Sequence, residues 1–334
     1  MRPLPLTLIA ALGLPALAPP ARTQDRPPPR GARGALLNEA PGEVPAAPRP
    51  LAERVTSFAY QLQGADPERL ARTQFDLLVI DPTREGGEDT RLTPAEVQKI
   101  RAGKPGRVLL AYFSLGEAET YRPYWQTGWA PGKPGSPAWL GPENPAWKGN
   151  YKVRYWDPSW RQLLWGNEQA QLDRLLAAGF DGIFLDVIDA FEFWGPGGES
   201  RLERQSAERD MVELVQALAA YARQKRPGFL VMPQNGEALL RHPDYLKTID
   251  GIAVEDLYYD GEKQVAPATT ARRAALLGPA RQAGKAVLVT DYARKPERVR
   301  DLYARARAAG FVAYATNRDL DRITLNPGLD PPDR

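Results

Sequence analysis

Between about residue 55 and residue 325 the chain alternates eight short apolar runs with helical stretches, and few folds accept that pattern. The runs fall at 57–62, 75–80, 107–113, 180–185, 229–232, 251–254, 286–290 and 311–315. They are short and apolar on both faces, as parallel strands covered by helices are. Between them lie "TPAEVQKIRAG", "DPSWRQLLWGNEQAQLDRLLAAG", "AERDMVELVQALAAYARQ" and "PERVRDLYARARAAG". Thr93-Pro94 and Asp157-Pro158 read as N-caps with proline at the first helical position, and Gly103, Gly179 and Gly310 as C-terminal stops. Eight such units in about 270 residues predict an α/β fold, a single (β/α)8 TIM barrel, rather than a doubly wound sheet. A ninth apolar run, "YKVRYW" at 151–156, is assigned to a long loop after strand 3, spanning 114–157 and lying over the C-terminal face.

In barrels, chemistry sits where the strands end at their C-terminal face. The residues at or just after the expected strand ends include Asp81, Ser114 with Glu117, Asp186, Gln234 with Asn235 and Glu237, Glu255 with Asp256, Asp291 with Tyr292, and Asn317. Six of eight ends deliver a carboxylate, more than helix capping alone accounts for. The stretch "GFDGIFLDVIDAFEFW" adds Asp189 and Glu192 one helical turn beyond Asp186, with capping and solvent exposure as their plain alternatives.

Composition narrows the chemistry. His242 is the one histidine and there is no cysteine, so histidine triads, thiolate metal sites, disulfides and cysteine nucleophiles are set aside. No metal and no cofactor is expected. No glycine-rich phosphate loop follows the early strands. The first 50 residues carry six arginines and three acidic residues, whereas the other 284 carry 38 of each sign, so the folded part has no bulk charge to attract nucleic acid. Hydrolysis by paired carboxylates remains, a chemistry that cleaves glycosidic bonds without a cofactor. From Tyr112 to Trp156 ten Tyr and Trp residues crowd the long loop, and flat rings with polar tips suit sugars. Packing over the barrel mouth is the other use for them.

Residues 1–24 read as a secretory signal: a basic start, an apolar stretch too short to span a bilayer, and Ala16-Leu17-Ala18 as a small-residue site, although Pro19 disfavours cleavage there. Residues 25–50 are rich in Pro, Ala and Arg without hydrophobic period and read as a linker, leaving 51–330 for the barrel. A secreted or periplasmic monomer without stable membrane insertion is expected.

Seven ordered stretches, "FDLLVIDPT", "VLLAYFSLGEAETYRPYW", "YKVRYWDPSW", "GFDGIFLDVIDAFEFW", "MPQNGE", "IDGIAVEDLYY" and "VLVTDYA", together resemble glycoside hydrolase family 114, the endo-α-1,4-polygalactosaminidase-like barrels. The resemblance implies a (β/α)8 fold and endo-hydrolysis of α-1,4-linked galactosamine-containing polysaccharide. It also implies that the strand-four aspartate and strand-six glutamate, here Asp186 and Glu255, are the catalytic pair. One barrel strand separates those two, which independently suits a pair facing across a pocket. A retaining mechanism would keep Asp186 ionised as nucleophile and raise Glu255, through burial or the neighbouring charge of Asp256, to act as acid/base. Inversion, with water between more widely spaced carboxyls, is the alternative. Tyr60, Asp81, Tyr112, Glu117, Trp156, Asp189, Gln234, Asn235, Glu237, Asp256, Asp291 and Tyr292 are expected to bind substrate. Among these, Asp81, Asp291 and Tyr292 are candidates to hold hydroxyls or a substrate ammonium, in an acidic cleft suited to a cationic polymer. A barrel that binds an amino-sugar polysaccharide without turning it over is the competing reading.

Overall fold

The expected strands are mostly apolar, and in the structure each becomes a parallel strand of the barrel. A computed structural model describes residues 49–333, so the expected signal at 1–24 and nearly all of the linker lie outside the described residues. The barrel strands are β1 (Phe58–Gln61), β2 (Leu77–Ile80) and β3 (Val108–Ser114). An inserted sheet of β4 (Glu117–Glu119), β5 (Leu140–Glu143) and β6 (Asn150–Val153) follows. The barrel resumes with β7 (Gly182–Asp186), β8 (Leu230–Pro233) and β9 (Gly251–Glu255). A two-residue hairpin, β10 (Tyr259–Asp260) and β11 (Lys263–Gln264), precedes β12 (Ala286–Asp291) and β13 (Val312–Ala315). The fourth and sixth barrel strands are thus β7 and β9.

Parallel ladders join β1, β2, β3, β7 and β8 in that order, and β9, β12 and β13 in theirs. The two arcs meet through a parallel bridge between Gln234 and Ala253, where the Asn235 N–H donates to the Ala253 carbonyl at 2.8 Å. At the other seam the N–H groups of Leu62 and Gln63 donate to the Leu320 carbonyl, and Phe58 packs on Tyr314 with ring centroids 5.6 Å apart. The result is the (β/α)8 TIM barrel expected, its strands buried among Phe58, Val79, Leu110, Phe184, Val254 and Leu288.

Local signals behave as their chemistry requires. Thr93 and Glu96 form a reciprocal capping box on the helix Pro94–Ala102, and Asp157 caps Pro158–Leu164 by accepting from the Ser159 N–H. Gly179 and Gly310 close their helices in the left-handed region at φ 91° and 72°. The helix expected over 157–179 is two helices, Pro158–Leu164 and Gln171–Ala178, because Gly166 turns left-handed at φ 108° between them.

The long loop after β3 has internal structure. "YKVRYW" contributes β6, the middle strand of the antiparallel sheet β4-β6-β5, so the segment is extended as its sequence suggests but outside the barrel. Trp125, Trp129, Trp139 and Trp160 pack ring to ring at 4.8–5.5 Å and stiffen the insertion. It is tied to the barrel by the Leu115 N–H to the Asp186 carbonyl at 3.0 Å and the Trp160 Nε1–H to the Leu115 carbonyl at 3.1 Å. Gly116 permits this approach: a Cβ there would sit 2.2 Å from the Val187 carbonyl oxygen.

Candidate active site

Carboxylates stand at or just after several strand ends of this barrel, and what each one touches sorts them into groups that face the cavity and groups that hold the scaffold. A cavity of about 850 Å³ opens at the C-terminal face, between the strand ends and the inserted sheet. Of the expected site residues, Tyr60, Asp81, Tyr112, Glu117, Asp186, Asp189, Gln234, Asn235, Glu255 and Tyr292 line it. Trp156, Glu237, Asp256 and Asp291 do not. Backbone strain is concentrated here. Of the five non-glycine residues with positive φ among the described residues, Val187, Asn235 and Leu320 lie on the cavity wall and Asp256 directly follows Glu255. Val187, at φ 57°, is β-branched and tolerates that conformation least.

Asp186 is the last residue of β7. Its Oδ1 accepts from the Val187 N–H at 2.8 Å and its Oδ2 from the Tyr112 hydroxyl at 2.9 Å. Burial, and then the charge of Glu255, push its carboxyl up to about 7 despite those donors. Burial thus works against the ionised Asp186 that a retaining mechanism starts from, while the donors at Val187 and Tyr112 favour it. Glu255, the last residue of β9, accepts at Oε2 from the Tyr292 hydroxyl at 2.5 Å and at Oε1 from Asn235 Nδ2 at 3.4 Å. Burial and the Glu255 charge hold the Tyr292 hydroxyl well above its ordinary value, so it remains a donor. The Tyr112 hydroxyl is raised likewise, by burial and by Asp186.

Asp256 does not line the cavity but pairs with Arg318, which does and whose Nη2 donates to both its oxygens at 2.9 and 3.0 Å and to Asp260 at 2.8 Å. Burial raises Asp256 to about 6, with Arg318 opposing. The Arg318 guanidinium also lies 4.1 Å from the centre of the Tyr292 ring. Behind β9, Arg273 Nη1 donates to the carbonyls of Glu255 and Asp256 at 2.9 and 3.1 Å, while its Nε donates to Glu237 at 2.7 Å. Glu237 therefore anchors the clamp that fixes Glu255 rather than lining the cavity.

Two further carboxylates are fully engaged. Asp81 accepts from Arg122 at 3.1 and 2.7 Å and from the N–H and hydroxyl of Thr83 at 2.8 and 2.6 Å. It reaches the wall, but Arg122 already supplies its cation, which leaves the expected substrate ammonium a competitor. Asp291 is 0% exposed and accepts the N–H groups of Leu257, Tyr258 and Tyr259 at 2.9, 3.0 and 2.9 Å. It pins the loop after Glu255 from beneath and has no face toward a substrate. Trp156 packs on Trp194 and under the Arg204 guanidinium, 4.4 Å from its ring centre, away from the cavity.

On the opposite wall Glu117 is held by Lys152 at 2.7 Å and Asn144 at 2.8 Å. Asp189 begins the helix Ala190–Trp194 without any side-chain capping bond, and burial pushes its carboxyl up to about 6. Capping therefore does not account for it. Glu192 is exposed and off the wall. Sequence reasoning missed the basic partners Arg122, Lys152, Arg273 and Arg318. Of these only Arg318 carried a nearby signal, lying one residue past Asn317 at the eighth strand end.

The model of glycoside-hydrolase family GH114 matches residues 39–329. An uncharacterized protein of Deinococcus radiodurans is 38% identical over 335 residues, covering 98% of this chain and 99% of that protein. Among solved structures, the glycoside hydrolase domain of PelA from Pseudomonas aeruginosa superposes with a TM-score of 0.57 at 22% identity, covering 80% of this chain and 97% of that domain. Ega3 of Aspergillus fumigatus, in complex with galactosamine, does so with a TM-score of 0.59 at 17% identity, covering 81% and 95%. At those identities the likeness is one of fold.

Proposed function

Because the chain belongs to glycoside hydrolase family GH114, we propose that this glycoside hydrolase cleaves α-1,4 linkages within a galactosamine-containing polysaccharide, using Asp186 and Glu255. The observation that carries the reading is the pair itself. Two carboxylates end β7 and β9 on one cavity wall, each accepting a hydrogen bond from a tyrosine hydroxyl that stays protonated. The amino-sugar substrate is supported by the likeness to Ega3, which was solved with galactosamine bound.

In a retaining sequence, Glu255 gives its proton to the leaving glycosidic oxygen while an Asp186 oxygen bonds to the anomeric carbon and that carbon–oxygen bond breaks. Water then loses a proton to Glu255 as its oxygen displaces Asp186 from the same carbon. Net hydrolysis follows, with both carboxyls restored. Neutralising Glu255 removes the charge that, after burial, most raises Asp186, and the Val187 N–H and Tyr112 hydroxyl then favour the Asp186 anion for attack. We place residues 1–24 as an export signal and 25–50 as a linker, with the barrel acting outside the cytoplasm.

The test is release of reducing ends from α-1,4-polygalactosamine and galactosaminogalactan, against neutral α-glucans as controls. Activity on the galactosamine polymers that disappears in Asp186→Asn supports the reading. Binding of these polymers without turnover by the wild type would identify a carbohydrate-binding barrel instead.

A further inference from the structure

Most of the aromatic rings in the insertion after β3 are buried against one another or against the barrel, but two remain largely exposed. Trp147, in the turn between β5 and β6, is 55% exposed, and Tyr121, just after β4, is 45% exposed. They are the only exposed large aromatic side chains among the described residues, and both line the cavity that holds Asp186 and Glu255. An indole left in water forgoes the stabilisation that burial brings its neighbours, and two such rings at one mouth mark a surface for a ligand.

The Tyr121 ring and the backbone that carries Trp147 are both held in place. The Trp147 N–H donates to the Asn144 carbonyl at 3.2 Å, the Asn150 N–H donates back to the Trp147 carbonyl at 3.1 Å, and Asn144 is itself bonded to Glu117. The Tyr121 hydroxyl donates to Glu119 at 2.5 Å, and the Arg122 guanidinium lies 4.9 Å from its ring centre. Its ring lies against Gly86, where a Cβ would approach to 2.6 Å. The Thr120 N–H donates to the Gly149 carbonyl at 2.9 Å, so the two rings belong to adjoining turns of one small sheet. Beyond Tyr121, Arg84 and Glu85 wall both this cavity and a second depression of about 480 Å³, so the rim continues outward.

We propose that Trp147 and Tyr121 form a stacking subsite for the apolar face of a pyranose ring lying outside the cleaved bond, which gives the enzyme its preference for long chains. The proposal rests on the polysaccharide reading above and deepens it. A large flat ring with few rotatable bonds offers area at little entropic cost, and stacking is indifferent to the sign of a sugar's substituents. The subsite therefore adds affinity per sugar unit and leaves charge recognition to the cavity floor.

Binding is measured in the Asp186→Asn background, with α-1,4-galactosamine oligomers of increasing length and free galactosamine as probes. Trp147→Ala is expected to weaken the longest oligomers roughly tenfold, an effect of the size of one aromatic contact, and to leave galactosamine unaffected. Trp147→Phe should recover most of the loss, and Tyr121→Ala should act in the same direction. Equal affinity of Trp147→Ala and its parent for long oligomers overturns the subsite, as does an equal loss for galactosamine, or no binding of any oligomer. If the wild type cleaves none of the polymers yet binding still depends on Trp147, the catalytic reading fails and the subsite stands. If the wild type is active and Trp147→Ala made in it keeps the wild-type KM on the polymer, the subsite alone fails.

Discussion

The Tyr292 hydroxyl donates to Glu255 Oε2 at 2.5 Å while the Arg318 guanidinium covers the same ring at 4.1 Å. The cation is shared with Asp256 and Asp260, so one arginine links the loop after β13 to the end of β9. Tyr292→Phe keeps the ring and the stack but removes a charge-assisted hydrogen bond, and kcat/KM should fall by roughly 10- to 100-fold with folding intact. Arg318→Ala should cost less, since it acts through Tyr292. Steady-state kinetics on the polymer checks both, and Arg318→Ala falling further than Tyr292→Phe would contradict this order.

Asp186→Asn and Glu255→Gln are each expected to lower turnover by at least about a hundredfold, the scale of a single acid/base group, and more if Asp186 forms a covalent bond. Asp189→Asn should act mainly on KM, because its carboxyl reaches the cavity wall without touching the pair's donors. Circular dichroism establishes folding and reducing-end release measures the rest.

Stability should respond to pH through Asp186. Its carboxyl is raised from 3.8 to about 7 by burial and Glu255, so the fold prefers the protonated form. Stability from this group is therefore full below the unfolded value and is lost as pH rises through about 7. Asp189 and Asp291, raised to about 6 by burial, act in the same direction over a lower window. The Tm advantage of Asp186→Asn over wild type should accordingly grow between about pH 5 and pH 8. Melting curves at both pH values are the measurement, and a constant difference would show that Asp186 is not desolvated in the folded protein.

Arg273 joins Glu237, Glu255 and Asp256 through four acceptors, counting the distant Asn235 oxygen at 3.5 Å. Arg273→Ala leaves the Glu237 carboxylate without its cation and two carbonyls without donors, which should destabilise the protein by about 3 kcal/mol and depress kcat. Arg273→Lys should not restore it, since an ammonium lacks the planar fork. Chemical denaturation measures the loss, and full recovery with lysine would argue for a simple ion pair.

The strand and helix alternation was legible because it is local. A run such as "LLVI" or "GIFL" carries its burial on every residue, and the caps at Thr93, Asp157, Gly179 and Gly310 lie within a turn of the helices they end. The order of the strands followed, and with it the placing of carboxylates at one face, since a strand's last residue must lie at the barrel's rim. The break at Gly166 was less visible, because an amphipathic pattern continues across it.

By itself the sequence determined the barrel, the strand-end carboxylates and the aromatic loop, all of which follow from side-chain periodicity along the chain. Only the tertiary structure decided which carboxylates remain available. Asp81 meets Arg122 across 41 residues, Glu237 meets Arg273 across 36, and Asp291 takes amides 32 to 34 residues away. Arginine is a surface residue in most contexts and leaves no periodic mark when it turns inward. Which of the ten rings is exposed at the mouth was likewise undecided until the insertion folded, because all of them share one composition and exposure is a property of packing.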